Sequence, residues 1–182
     1  MVKTALKGNE GFTLVELLVV VAIMAILSTS LAVGLNRVSY ANFQKAASQV
    51  YNEFNDCRSI CMSHATPVYT YLYNKSGDIY IYSATEGHMN YTDVSAKGRK
   101  IASAAVEVLY VDSAGDPDSD SSYTELTDGN MIEISFKTNG SFKTSEPGTS
   151  TAFYKAIRIK KRNGSIKKDI LMIQETGKRF MQ

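Results

Sequence analysis

Gly11-Phe12-Thr13-Leu14-Val15-Glu16-Leu17-Leu18-Val19-Val20 opens an apolar run, FTLVELLVVVAIMAILSTSLAVGL, that fills residues 12–35 and holds Glu16 as its sole ionisable side chain. Its 24 residues, at about 1.5 Å each in an α-helix, reach roughly 36 Å and can cross a hydrocarbon core of about 30 Å with some tilt. Thr13, Ser28, Thr29 and Ser30 can satisfy their hydroxyls on helical carbonyls. Ahead of the run lies MVKTALKGNEG, short and polar, whose Lys3 and Lys7 favour the cytoplasmic side. A secretory signal carries its small-residue cutting site after the apolar stretch. Here Gly11 precedes it, so a cut at Gly11 leaves the apolar helix on the mature chain as a retained anchor.

Glu16 is costly in that setting. A carboxylate in an apolar helix costs on the order of 2.5–3.5 kcal/mol on insertion scales, and such residues usually mark function. A cut after Gly11 supplies a compensating cation, because Phe12 becomes the N-terminus and Glu16 then lies one helical turn from an α-amino group. The same carboxylate can meet the N-terminus of a neighbouring subunit.

These ten residues resemble the processing site and helix start of the type IV pilin and pseudopilin superfamily. Its pattern is Gly, a cut, an N-methylated Phe, then Thr-Leu-hydrophobic-Glu. The resemblance implies cleavage between Gly11 and Phe12 and methylation of Phe12 by a prepilin peptidase. It implies that Glu16 sets register during assembly with other pilin or pseudopilin subunits. It also implies a single-pass protein of the cytoplasmic membrane, its globular domain outside, assembled into a pilus or pseudopilus. Residues 1–11 are then a leader, 12–35 a transmembrane and assembly helix, and 36–182 a globular pilin-like domain. Major pilins often carry Pro inside this helix, whereas the first Pro here is Pro67 and Gly34 is the one weak point.

Past Leu35 the helical period continues. Tyr40, Phe43, Ala47, Val50, Phe54, Cys57 and Cys61 step by three and four and form one stripe. With no Gly or Pro between Asn36 and His64, an amphipathic helix is expected over 36–65, joined to the first as one helix roughly 80 Å long. After Pro67 the period falls to two. Val68–Tyr73, the turn Lys75-Ser76-Gly77-Asp78 and Ile79–Tyr82 make a hairpin. Further strands are expected at 105–111, 131–137, 141–143, 153–161 and 165–174, with turns at Asn139-Gly140 and Asn163-Gly164. Residues 84–103 read as loop, and Thr176-Gly177 as the end of the last strand. The fold class is α+β: one long N-terminal helix packed on an antiparallel sheet or small sandwich over 67–182.

Three short motifs extend the resemblance to H-type (GspH/FimT-like) minor pseudopilins: Ala46–Val50 with Arg58-Ser59 leading to Val68, Phe136-Lys137-Thr138-Asn139-Gly140, and Ile173–Arg179. The function implied is a minor pilin or pseudopilin of a type IV pilus or type II secretion pseudopilus.

Charge is uneven beneath a net of +2: residues 86–151 hold 5 basic and 11 acidic residues, and residues 152–182 hold 9 basic and 2 acidic. Lys160, Lys161, Arg162, Lys178 and Arg179 in that basic end are candidate nucleic-acid contacts. The alternative function is accordingly a DNA-binding minor pilin of a competence pilus, the family including DNA binders with a Gly-Arg-x-Arg-like ending. The bland reading is a solvated sheet face, or one complementary to an acidic loop of the next subunit. The alternate carboxylates Asp112, Asp116, Asp118 and Asp120 suggest a calcium loop, but Ser121 and Thr127 stand where an EF-hand needs Gly and Glu. Cys57 and Cys61 read as buried thiols, as a redox pair, or with His64 as part of a metal site. His88 falls in a loop facing water. With no phosphate loop, Ser-His-Asp order or paired-carboxylate signature, no enzyme, metal or cofactor is expected.

Overall fold

The computed structural model describes residues 12–143, 153–162 and 164–182, with side chains 29–37 excepted. The chain divides into two compact units, Met1–Val38 and Ser39–Gln182. Helix α1 runs from Leu14 to His64, 51 residues. Ala65 takes a positive φ of 52°, and Pro67, which withholds a backbone N–H, closes the helical option. In the first unit Leu14, Val15, Leu17, Leu18 and Ile23 through Leu27 present exposed apolar side chains. Among the described residues no helix is long and apolar enough to cross a membrane. The last third of the expected span, residues 29–35, lies among the side chains outside the description.

The second unit is α+β, with two antiparallel sheets. Strands β1 (Val68–Lys75), β2 (Asp78–Ala84), β3 (Arg99–Ala102) and β6 (Met131–Phe136) form one, in the order β3-β2-β1-β6. Strands β4 (Val106–Asp112), β5 (Thr124–Glu125), β7 (Tyr154–Lys161), β8 (Lys167–Met172) and β9 (Arg179–Met181) form the other, in the order β5-β4-β7-β8-β9. The β1–β2 hairpin pairs Lys75 with Asp78, and its turn residues Ser76 and Gly77 both have positive φ, as a tight hairpin turn requires.

Strand β1 is buried along both faces, and its alternation sorts two cores. Val68 and Leu72 face a core shared with Phe43, Val50 and Phe54 of α1, Ile132 and Ile134 of β6, and Val108, Ile157 and Ile159 of the second sheet. Tyr69, Tyr71 and Tyr73 face a smaller cluster with Met89 and Val94. The α1 stripe follows the helical period with one exchange. Ala46 is buried, whereas Tyr40 is 46% exposed and accepts a bond from Gln44.

Several boundaries differ from the expected ones. The loop at 84–103 contains helix α2, Tyr91–Lys97, capped by the Asn90 carboxamide accepting from Asp93 N–H at 2.9 Å, and also strand β3. Residues 141–143 make a single bridge, Phe136 to Phe142, not a strand. The strand expected to end at Gln174 stops at Met172, and the chain turns back into β9. At the Asn163-Gly164 turn, Asn163 lies outside the described residues.

Candidate functional site

At the head of α1, Thr13 and Glu16 bond reciprocally. The Thr13 N–H and hydroxyl both donate to Glu16 Oε2 at 3.1 Å, and the Glu16 N–H donates to Thr13 Oγ1 at 3.2 Å. This is a capping box, in which a Thr and a Glu three residues later satisfy each other's orphan donors at a helix start. The signal stands in the sequence as Thr-x-x-Glu before an apolar run, and reading Glu16 only as a buried charge misses it. Phe12 is 86% exposed. Gly11, the expected cleavage residue, and the rest of the leader lie outside the described residues.

The basic end and the acidic middle meet within this chain. Arg158 of β7, buried, donates from Nε and Nη2 to the two oxygens of Asp169, each at 2.7 Å, and from Nη1 to Asp120 at 2.6 Å. Its guanidinium lies 3.6 Å from the centroid of the Tyr123 ring. Asp169, then Asp120, push the Arg158 pKa above its ordinary value, so it is charged throughout the working range. Lys167, then Arg158, hold the Asp120 carboxyl down to about 2. Lys160 and Arg162 flank Glu107, at 3.9 and 3.1 Å. Lys161 is half-buried at the end of β7, Lys178 is exposed, and Arg179 is buried. The five cations expected to contact nucleic acid are thus divided, with two held by Glu107 and Arg179 withdrawn from the surface.

The acidic loop is also engaged. Asp112 Oδ1 accepts from the N–H groups of Ala114 and Gly115, and Asp116 Oδ1 accepts from Asp118 N–H. Among the described residues no group of three His, Cys, Asp or Glu is placed to hold a metal.

The three short motifs of the sequence converge on one junction. Arg58 on α1 donates from Nε to Gly140 O and from Nη2 to Thr176 O, both at 3.0 Å. Gly140 turns at φ 80° and Gly177 at φ 62°. A Cβ on Gly177 would stand 1.6 Å from Gly140 O, so only glycine fits there. Arg179 donates to Gly177 O at 3.0 Å and to Asn55 Oδ1. Residues 80 and more apart in sequence are tied by one guanidinium, which a linear motif reading does not reveal.

Cys57 and Cys61 are free and buried. Thr70 Oγ1 donates to Cys57 Sγ and Val68 N–H to Cys61 Sγ, both at 3.1 Å, and burial pushes both thiols up. His88 lies in a loop and is exposed, as expected, and it is also tied to the sheet. Its N–H donates to Glu133 Oε2 at 2.9 Å, its Nδ1 lies 3.4 Å from Oε1 of the same buried carboxylate, and its ring sits edge-on to Tyr69.

Residues 6–32 match the family model of the prokaryotic N-terminal methylation motif. The match supports a type IV pilin-like protein with prepilin-type processing. It covers the head of the chain only. No curated protein and no solved structure matches the chain.

Proposed function

We propose that this protein is a minor pilin or pseudopilin, a structural and non-enzymatic subunit of a type IV pilus or type II secretion pseudopilus. It is cut between Gly11 and Phe12, methylated at Phe12, and held in the cytoplasmic membrane through residues 12–35 until it joins other subunits. The observation that carries this reading is the methylation-motif match at residues 6–32. It falls on a helix whose apolar side chains, Leu14 at 79%, Leu17 at 63% and Ile26 at 67%, are exposed. An apolar surface of that kind in contact with water is unfavourable and calls for lipid or neighbouring helices to cover it. The H-type assignment rests on the Arg58, Gly140 and Gly177 junction, where all three of its short motifs meet.

The competence alternative draws on the basic C-terminal end. It is the weaker reading, because Lys160 and Arg162 are paired with Glu107 and Arg179 is buried.

Coexpression with a prepilin peptidase tests the processing step. The wild type should be shortened by the eleven residues preceding Phe12, with intact-mass analysis placing a methylated Phe at the new N-terminus. Gly11→Trp should remain full length. An uncut wild type, or a Gly11→Trp protein that is cut normally, refutes processing at this bond.

A further inference from the structure

Arg58, Lys178 and Arg179 line a cavity of about 320 Å³ together with Tyr51, Asn55 and Gly177. Among the described residues, every side-chain hydrogen bond that these cations donate ends on a neutral oxygen. Arg58 donates to Gly140 O and Thr176 O, and Arg179 donates to Gly177 O and Asn55 Oδ1. Arg179 Nε is buried with no partner. None of the three makes an ion pair among the described residues.

Arg158 shows what is missing. It is buried to a similar degree, 6% exposed against 8% for Arg179, yet it has two carboxylates on it. Burial first, then repulsion from Arg58, push the Arg179 pKa down from its ordinary value. Charge withdrawn from water without a countercharge is costly, and the cavity beside these groups leaves room for one. Lys178 stands exposed at its edge.

We propose that this cavity is an oxyanion-binding site that takes a single carboxylate or phosphate group, either free in solution or presented by a partner chain. Guanidinium groups suit such an ion because their forked N–H donors match its oxygens. Neutral acceptors already hold part of each fork, so the ligand completes a half-satisfied set and does not displace an existing ion pair. The cavity has room for a small anionic group, in contrast to a nucleic-acid duplex, which is tracked by rows of exposed cations. The site does not depend on the pilin-like reading.

The test uses the full-length protein in uncharged detergent micelles at pH 7. Its thermal midpoint is followed against added sodium phosphate or sodium acetate, with sodium chloride at equal ionic strength as the reference. The expected result is a saturable rise in midpoint with phosphate. Lys178→Glu should weaken the apparent affinity about tenfold, the scale of one charge-assisted contact. Lys45→Glu should leave it unchanged, since this exposed residue of α1 makes the same charge change away from the cavity. A response to acetate as well as phosphate identifies carboxylate as a natural ligand class, and a response to phosphate alone identifies phosphate. Equal responses in wild type and Lys178→Glu overturn the proposal, because they reduce the effect to general salt stabilisation. Binding of a short DNA duplex with silence toward both small anions also overturns it.

Discussion

Thr13 and Glu16 close one turn of helix on each other, and that places two demands on a single carboxylate. As the far half of a capping box it must accept from the Thr13 N–H and hydroxyl. As an assembly contact it must carry charge to the N-terminus of a neighbouring subunit. Glutamine separates the two demands, since Gln serves in a capping box but is neutral. Glu16→Gln should therefore keep the helicity of the full-length protein while incorporating poorly into filaments. Glu16→Ala should lose both, with a loss of roughly 1 kcal/mol at the helix start. Circular dichroism in micelles reads the first effect and filament incorporation reads the second. Normal incorporation of Glu16→Gln removes the charge from the assembly role and leaves capping as its explanation.

The elements legible in the sequence are those with a sustained period. The seven-position stripe of α1 gave six buried residues, Phe43 through Cys61, because a helix face repeats often enough to be read against noise. Tyr40 failed at the end of the stripe, where a bulky side chain with a hydroxyl can turn to Gln44 and water. Helix α2 carries no readable period, because its seven residues hold a single buried side chain, Val94. Its signal was the cap, Asn90 with Asp93 three positions on and Gly98 beyond. Strands β5 and β9, of two and three residues, are too short to show alternation at all. The junction of Arg58 with the Gly140 and Gly177 turns was present as three separate motifs, but their meeting is a tertiary fact. Gly177 shows how tightly it is built. With φ at 62° and Gly140 O at 1.6 Å from any Cβ, Gly177→Ala must displace one turn from the other. The expected cost is about 2–4 kcal/mol, from backbone strain and overpacking together, read as a lower denaturant midpoint. Gly129→Ala is the control, because its φ is also positive but nothing lies within 4 Å of its added Cβ. Equal losses in the two variants would reduce the effect to backbone conformation alone.

At the scale of the whole chain, the acidic middle and the basic end found in the sequence answer each other within one molecule, through Asp120 with Arg158 and Lys167, and Glu107 with Lys160 and Arg162. The sequence showed the polarity and left its target open, because summed charge carries no information about which strands become neighbours. The β4–β7 pairing decides it by setting Glu107 opposite Lys160, while β7–β8 sets Arg158 opposite Asp169 within the basic end itself. Asp120 then reaches the same guanidinium from the 3₁₀ turn Asp120–Ser122, tying the acidic loop to the second sheet. Its carboxyl is held down to about 2 from an ordinary 3.8, by Lys167 first and Arg158 next. The folded state therefore binds this proton less readily than the unfolded chain does. The resulting stabilisation is complete above the ordinary carboxylate value and is lost as pH falls through the folded one. Asp120→Asn should lower the thermal midpoint at neutral pH, and the gap to wild type should stay constant down to about pH 5 and close between about pH 4 and 2. High salt should narrow the gap above about pH 4, where it is open, because the carboxylate is exposed and its partners are screened. A gap that persists unchanged at pH 2 assigns the effect to the shape of the side chain instead of its charge, and with it the tether between acidic loop and basic strand ceases to be electrostatic.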